Sequence, residues 1–503
     1  MDITSLVYIM FVAVCLVIYW VMPSKRQWYV LLVASLLFYF LNSKAYTFVY
    51  LLTSVLTVWG ATVYFENCCN DKKRKIVLII TLLINIGLLA VLKYTNLAIN
   101  TFNLILKEDN AIKPVTWIAS MGISFYTLQI VAYLLDVYWK VTAVEHNPFK
   151  LLLFTSYFPL MISGPISEYE QLGYQFYEEH RFSYEKVTKG MKRIAWGMIK
   201  KLAISNRMAI VVNFLWNDVN TFNGLWIWFA VFLYVIQLYT DFSGCMDIVL
   251  GTSECFGIKL VENFKSPLFS KNIQEFWQRW HISLGQWLKN YIMNPLLKSE
   301  LFLSMGNRAK KIWGKKKGKK VPVYCAMLAL WLAMGLWHGS SWKYIIGEGL
   351  WFWFVIVVGQ LLEEQLIMIK DKLKIRDGVI WNTFQVIRTN FIFIVGMLFF
   401  RASSFLDSLM RIRQSFVLEG TKDTIGVAIN EMIALLENRG ISILVIALIA
   451  LIIYDAILYK GIDLFDRLKS LKWIFRWMIY IIMIVIILMS YDVGAQEFAY
   501  AQF

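Results

Sequence analysis

Stretches of about twenty consecutive apolar residues, the length at which a helix spans a bilayer, recur from one end of this chain to the other. Candidate spans fall at 5–22, 28–41, 46–65, 76–94, 115–138, 150–167, 202–216, 224–250, 321–337, 343–369, 379–401, 440–459 and 472–491. Two of them, 28–41 and 150–167, are expected to be re-entrant or interfacial, leaving about eleven crossings. The composition agrees. The chain is 59% hydrophobic and 17% charged, whereas a soluble domain is about half apolar and a quarter charged. The expected fold is an all-α polytopic membrane protein. No repeat or linker divides the sequence, so residues 1–503 read as one transmembrane domain. The first stretch, 6–22, lacks a basic leader and a small-residue cleavage site, and reads as a retained span.

The net charge of +16 invites a nucleic-acid reading, but the basic residues cluster between spans, at 72–75, 192–201, 308–320 and 370–376. That is the positive-inside pattern, and all four clusters fit the cytoplasmic side if the N-terminus is outside. No nucleic-acid partner is expected. The segment 306–320, GNRAKKIWGKKKGKK, reads as a flexible basic cytoplasmic loop touching anionic headgroups. Six cysteines show neither metal-ligand nor disulfide spacing. Cys68 and Cys69, beside the 72–75 run, read as interfacial, with palmitoylation the alternative.

Only four histidines occur, so their placement is informative. Trp337-His338-Gly339 closes the nearly unbroken apolar run 321–336. Burying an imidazole requires partners that lipid cannot supply, yet imidazole is also a base that exchanges protons near neutral pH. His338 is therefore either a helix-end histidine bonded to a carbonyl or a general base, with Gly339 letting substrate approach. His281 lies within Arg279-Trp280-His281-Ile282-Ser283, where aromatic and basic residues mix densely. The surrounding 251–300 reads as interfacial or re-entrant helix, membrane-associated but shielded from lipid. His146 and His180 sit in polar loops and read as solvated. No HExxH and no third clustered ligand marks a metal site.

Asp241, in Asp241-Phe242-Ser243-Gly244 at the end of a span, is a candidate by virtue of its intramembrane carboxylate. Asp136, Lys93, Glu348 and Arg401 are single charges at span ends and read as architectural. Ser340 and Ser341 follow His338, but no nucleophile elbow or third triad member accompanies them. No nucleotide fingerprint is present.

Taken together, these residues resemble the membrane-bound O-acyltransferases. The stretch 241–291, DFSGCMDIVLGTSECFGIKLVENFKSPLFSKNIQEFWQRWHISLGQWLKNY, is similar to that family's signature region. The later Trp337-His338-Gly339 resembles its histidine motif, making 241–338 the catalytic region. Ser124-Phe125-Tyr126, Phe158-Pro159, Gly164-Pro165-Ile166, Phe399-Phe400-Arg401-Ala402 and Ala501-Gln502-Phe503 add to the likeness, which is to the bacterial branch that O-acetylates alginate or D-alanylates teichoic acid.

The resemblance implies a ring of tilted helices around a membrane-spanning tunnel in a bacterial cytoplasmic membrane. It implies His338 as the catalytic residue and His281 as its support, with Asp241, Arg279, Trp337 and Ser283 lining the approach. It further implies a thioester donor, acetyl-CoA or alternatively a D-alanyl carrier protein, with no bound cofactor. A polysaccharide or lipid-linked acceptor and a separate extracytoplasmic acetyltransferase are the implied partners, beside membrane lipid. The family's Gly-rich continuation after Tyr291 is replaced by Ile292-Met293-Asn294-Pro295-Leu296-Leu297. That departure lies on the donor-facing side and leaves the donor open. The rival from another class is a transporter with His338 as proton relay.

Overall fold

The computed structural model describes residues 1–103, 111–116, 121–417 and 424–491. The terminal Ala501-Gln502-Phe503 therefore lies outside the described residues. Among those described, the structure is helical, and β-type pairing is confined to one bridge between Phe264 and Trp280. Among the described residues, seven helices are long and apolar enough to cross a membrane: Ala45–Asn67, Asp71–Asn103, Leu225–Cys255, Lys320–His338, Trp342–Leu361, Val379–Arg401 and Ile425–Tyr459. Leu6–Val21, Ile123–Tyr138 and Trp473–Leu488 are shorter apolar helices. The protein is an all-α polytopic membrane protein.

The stretch 150–167 breaks into Pro148–Ser156 and Leu160–Ser163. Asn147 caps the first piece by accepting from the Phe149 backbone N–H, with proline in the first turn. The chain then leaves helical conformation at Tyr157, two residues before Pro159. Three of the four basic clusters are helical, and 370–376 leaves its helix after Lys372. Residues 72–75 open the Asp71–Asn103 helix, and 306–320, expected as a flexible loop, forms Glu300–Gly318 and runs into Lys320–His338. Lys200 and Lys201, within the expected cytoplasmic cluster at 192–201, are buried in the π-helical turn Ile199–Ser205.

The chain forms two compact units, residues 1–197 with 245–262, and residues 198–244 with 263–503. In the first, Gly190 and Gly251 pack backbone against backbone, each leaving no room for a Cβ on the other. Arg193 fastens the same pair of segments. Its Nε reaches Asp247 at 2.9 Å, and its two terminal nitrogens fork onto Glu262 at 2.7 and 2.6 Å. Such bidentate geometry is the strongest form of this ion pair.

The second unit holds a helical hairpin. Gly335 abuts the backbone of Tyr344 and Ile345, Gly349 abuts that of Trp331, and Trp353 Nε1 donates to Tyr324 O at 2.9 Å. The Lys320–His338 and Trp342–Leu361 helices are therefore antiparallel, with His338 at the turn. Val379–Arg401 packs antiparallel on the second arm through Phe399 at Gly347, Phe393 at Phe352 and the bond from Trp351 Nε1 to Ile392 O.

Candidate catalytic site

His338 is the last residue of its helix, and Gly339 follows in extended backbone. A Cβ at Gly339 would collide with the Tyr344 ring. The space beside this glycine, expected to admit substrate, is filled by that aromatic side chain, so the glycine serves packing. Lys343 Nζ donates to Phe400 O at 3.1 Å and also to Ala402 O. This closes the C-terminal end of Val379–Arg401, where helix carbonyls lack partners, and seats the Phe400 ring 5.7 Å from His338.

Beyond the hairpin turn the helix widens into a π-helical segment, Ile345–Leu350. Such turns insert an extra residue and re-aim side chains. Glycines at 347 and 349 let neighbouring chains approach, and the segment presents Glu348 to His338. Nδ1 of His338 lies 2.8 Å from Oε2 of Glu348, and both side chains are only 3% exposed. With Nδ1 turned to the carboxylate, Nε2 lies on the opposite edge of the ring.

His281 stands 6.0 Å from His338, ring centre to ring centre, and 5.4 Å from Trp337, with Phe242 at 4.9 Å on another side. Its backbone is left-handed, at φ +48°, a conformation that a non-glycine residue holds only when its surroundings impose it. Asn263 supplies that constraint. Its carbonyl accepts from Ile282 N at 3.1 Å, and its Oδ1 accepts from Ser283 N at 3.0 Å and Ser283 Oγ at 2.9 Å. Its side-chain amide also lies 3.4 Å from His281 Nδ1. Burial, with His338 alongside, holds His281 well below the ordinary histidine range, so its ring is neutral.

The structure thus gathers Trp337, His338, His281 and, through Asn263, Ser283. Asp241 forms a buried ion pair with Lys201 at 2.5 Å. Arg279 is partly exposed, bonded to Glu275 at 3.0 Å and to Lys265 O, with its guanidinium 4.5 Å over Tyr459. Two residues escaped the sequence reading. Glu348, taken as architectural, is the partner of His338; its signal was a lone acid between glycines in an apolar run. Asn263 carried no pattern, because its role arises from a backbone crossing between 263–265 and 279–282.

Residues 139–307 match the family model described as MBOAT, the membrane-bound O-acyltransferase family. The match contains His281 and ends before His338. The chain is 29% identical over 356 residues to the probable alginate O-acetylase AlgI of Pseudomonas syringae pv. tomato, covering 70% of this chain and 65% of that protein. It is 32% identical over 347 residues to the peptidoglycan O-acetyltransferase of Helicobacter pylori, covering 64% and 62% respectively. A more distant likeness, 28% over 241 residues, links it to the teichoic acid D-alanyltransferase of Bacillus subtilis, covering 46% of this chain and 57% of that one. The chain thus spans slightly under two thirds of the length of the first two relatives. The family expected from the motifs is the one whose model matches residues 139–307, the membrane-bound O-acyltransferases.

Proposed function

We propose that this protein is an O-acyltransferase of the bacterial cytoplasmic membrane. It takes an acyl group, acetyl in the first instance, from a cytoplasmic thioester and passes it outward for O-acylation of a cell-surface polysaccharide. The observation that carries this reading is the buried His338–Glu348 pair beside His281. In that arrangement Nε2 of His338 takes the proton of an acceptor hydroxyl while its oxygen attacks the thioester carbonyl. The C–O bond forms, the C–S bond breaks, and the departing thiolate takes that proton from the His338 imidazolium. A base so placed contributes about 10²–10⁴-fold. Glu348 positions the ring and balances the imidazolium as it forms, while neutral His281 adds no competing charge. Transfer through the membrane suits an acyl group because a charged donor cannot cross hydrocarbon.

Acetyl is favoured over D-alanyl by the greater reach of the likeness to the O-acetylases, 70% of this chain against 46%. Acetyl-CoA is then the donor and an extracytoplasmic acetyltransferase the receiving partner. His338→Ala is expected to abolish acylation of the surface polymer, read by mass spectrometry, with membrane insertion unchanged. Acylation persisting at the unmodified level would overturn the enzyme reading. Export of an intact solute without any change in polymer acylation would favour the transporter. Labelled acetyl-CoA and D-alanyl carrier protein, supplied separately to membrane vesicles, distinguish the donors.

A further inference from the structure

One surface of the second unit is left unused by this chemistry. The Glu300–Gly318 helix buries Gly306 and Ala309, with Gly306 against Pro322 of the hairpin and Gly318 folded back onto the backbone of Ala309 and Lys310. Outward it presents large apolar side chains, with Ile312 70% and Trp313 55% exposed. Between 300 and 320 there are seven lysines and one arginine against one glutamate. A kink at Gly314, φ +76°, turns Lys315–Lys317 away from the preceding axis. The neighbouring Glu363–Lys372 helix repeats the mixture, with exposed Leu366, Met368 and Ile369 among Lys370 and Lys372. Lys316 bonds Glu364 at 2.6 Å across the two segments. Both segments adjoin the end of the hairpin away from its turn, at Lys320 on one arm and Leu361 on the other, so the surface and His338 occupy opposite ends of a helix about 28 Å long.

We propose that this surface is an amphipathic clamp on the anionic lipid headgroups of the cytoplasmic leaflet, with Ile312 and Trp313 inserted at the acyl boundary. Its place decides the occupant. It joins the ends of three membrane-length helices, Lys320–His338, Trp342–Leu361 and Val379–Arg401. Excess Lys at helix ends marks the cytoplasmic side, whose leaflet is negatively charged and attracts polybasic segments. An indole beside aliphatic side chains on a basic helix matches the headgroup level of a bilayer. An acidic protein would satisfy the lysines but would leave the aliphatic side chains between them in water. The proposal is independent of the acyl-transfer reading.

The test places a photo-crosslinker at Trp313 (Trp313→p-benzoylphenylalanine) in the full chain, reconstituted in bilayers of equal phosphatidylcholine and phosphatidylglycerol. Mass spectrometry of the peptide carrying residue 313 is expected to find lipid adducts, with phosphatidylglycerol several-fold in excess. In the Lys315→Gln/Lys316→Gln/Lys317→Gln background the excess should vanish while total lipid adduct persists. Absence of any lipid adduct would show a solvated face and overturn the proposal. Equal yields from the two lipids without the lysine changes would overturn the anionic selectivity. In native membranes, a protein adduct at this position in place of lipid would overturn the choice of occupant.

Discussion

The pairing of His338 with Glu348 sets apart two roles that truncation of either residue would blur. In the proposed mechanism Glu348 acts through the imidazole it contacts. Glu348→Gln should therefore lower kcat by roughly 10²-fold or more, as removal of a histidine-orienting carboxylate does elsewhere, with little change in KM. Glu348→Asp should restore part of the rate. A change confined to KM would place Glu348 in donor binding instead. His281 offers a pH test with a definite sign. The unfolded chain protonates this histidine near pH 6.5, whereas the folded protein holds it neutral. Below about pH 6.5 the unfolded state thus binds more protons, and stability falls as pH falls. His281→Asn, which tolerates the left-handed backbone, should show a smaller loss in thermal midpoint between pH 7.5 and 5.5. Identical pH responses of the two proteins would refute this account.

At the scale of elements, glycine spacing in the hairpin sets the distance between His338 and Glu348. At Gly335 a Cβ would lie 2.6 Å from Tyr344 O and 2.9 Å from Ile345 Cα, both on the backbone, which cannot swing aside. Gly335→Ala should spread the hairpin, lower stability by about 1–3 kcal/mol as overpacking does, and reduce activity by loosening the His338–Glu348 contact. An unchanged thermal midpoint and rate would show that the hairpin accommodates the methyl group. These glycines were visible in the sequence, but their function was not. Gly339 looked like room for substrate, and only the fold puts Tyr344 there. The 306–320 segment failed differently. Its lysines and glycines have the composition of a loop, and the small inward face that makes it a helix is visible only against the partner helix it packs on.

For the molecule as a whole, the hairpin geometry makes sidedness testable. In a cysteine-free background, Lys317→Cys should react with a membrane-impermeant maleimide only when the inner face of the membrane is opened. Labelling from outside in sealed cells would invert the topology and place the basic surface away from the donor. Much of this level was legible beforehand. Apolar runs of spanning length permit few structures, since backbone polar groups in hydrocarbon must be satisfied within the segment. The 241–291 signature also sufficed to anticipate the family whose model matches residues 139–307, because its residue types and order are local. The sequence by itself determined an all-helical membrane protein with His338 and His281 as its chemical candidates. Only the tertiary structure decided what surrounds them: Glu348 at 2.8 Å, Asn263 holding the strained turn, and Asp241 committed to Lys201. Those partnerships depend on a π-helical turn, a chain crossing and backbone contacts at glycine. None of these has a local periodicity, because each arises only where distant segments pack.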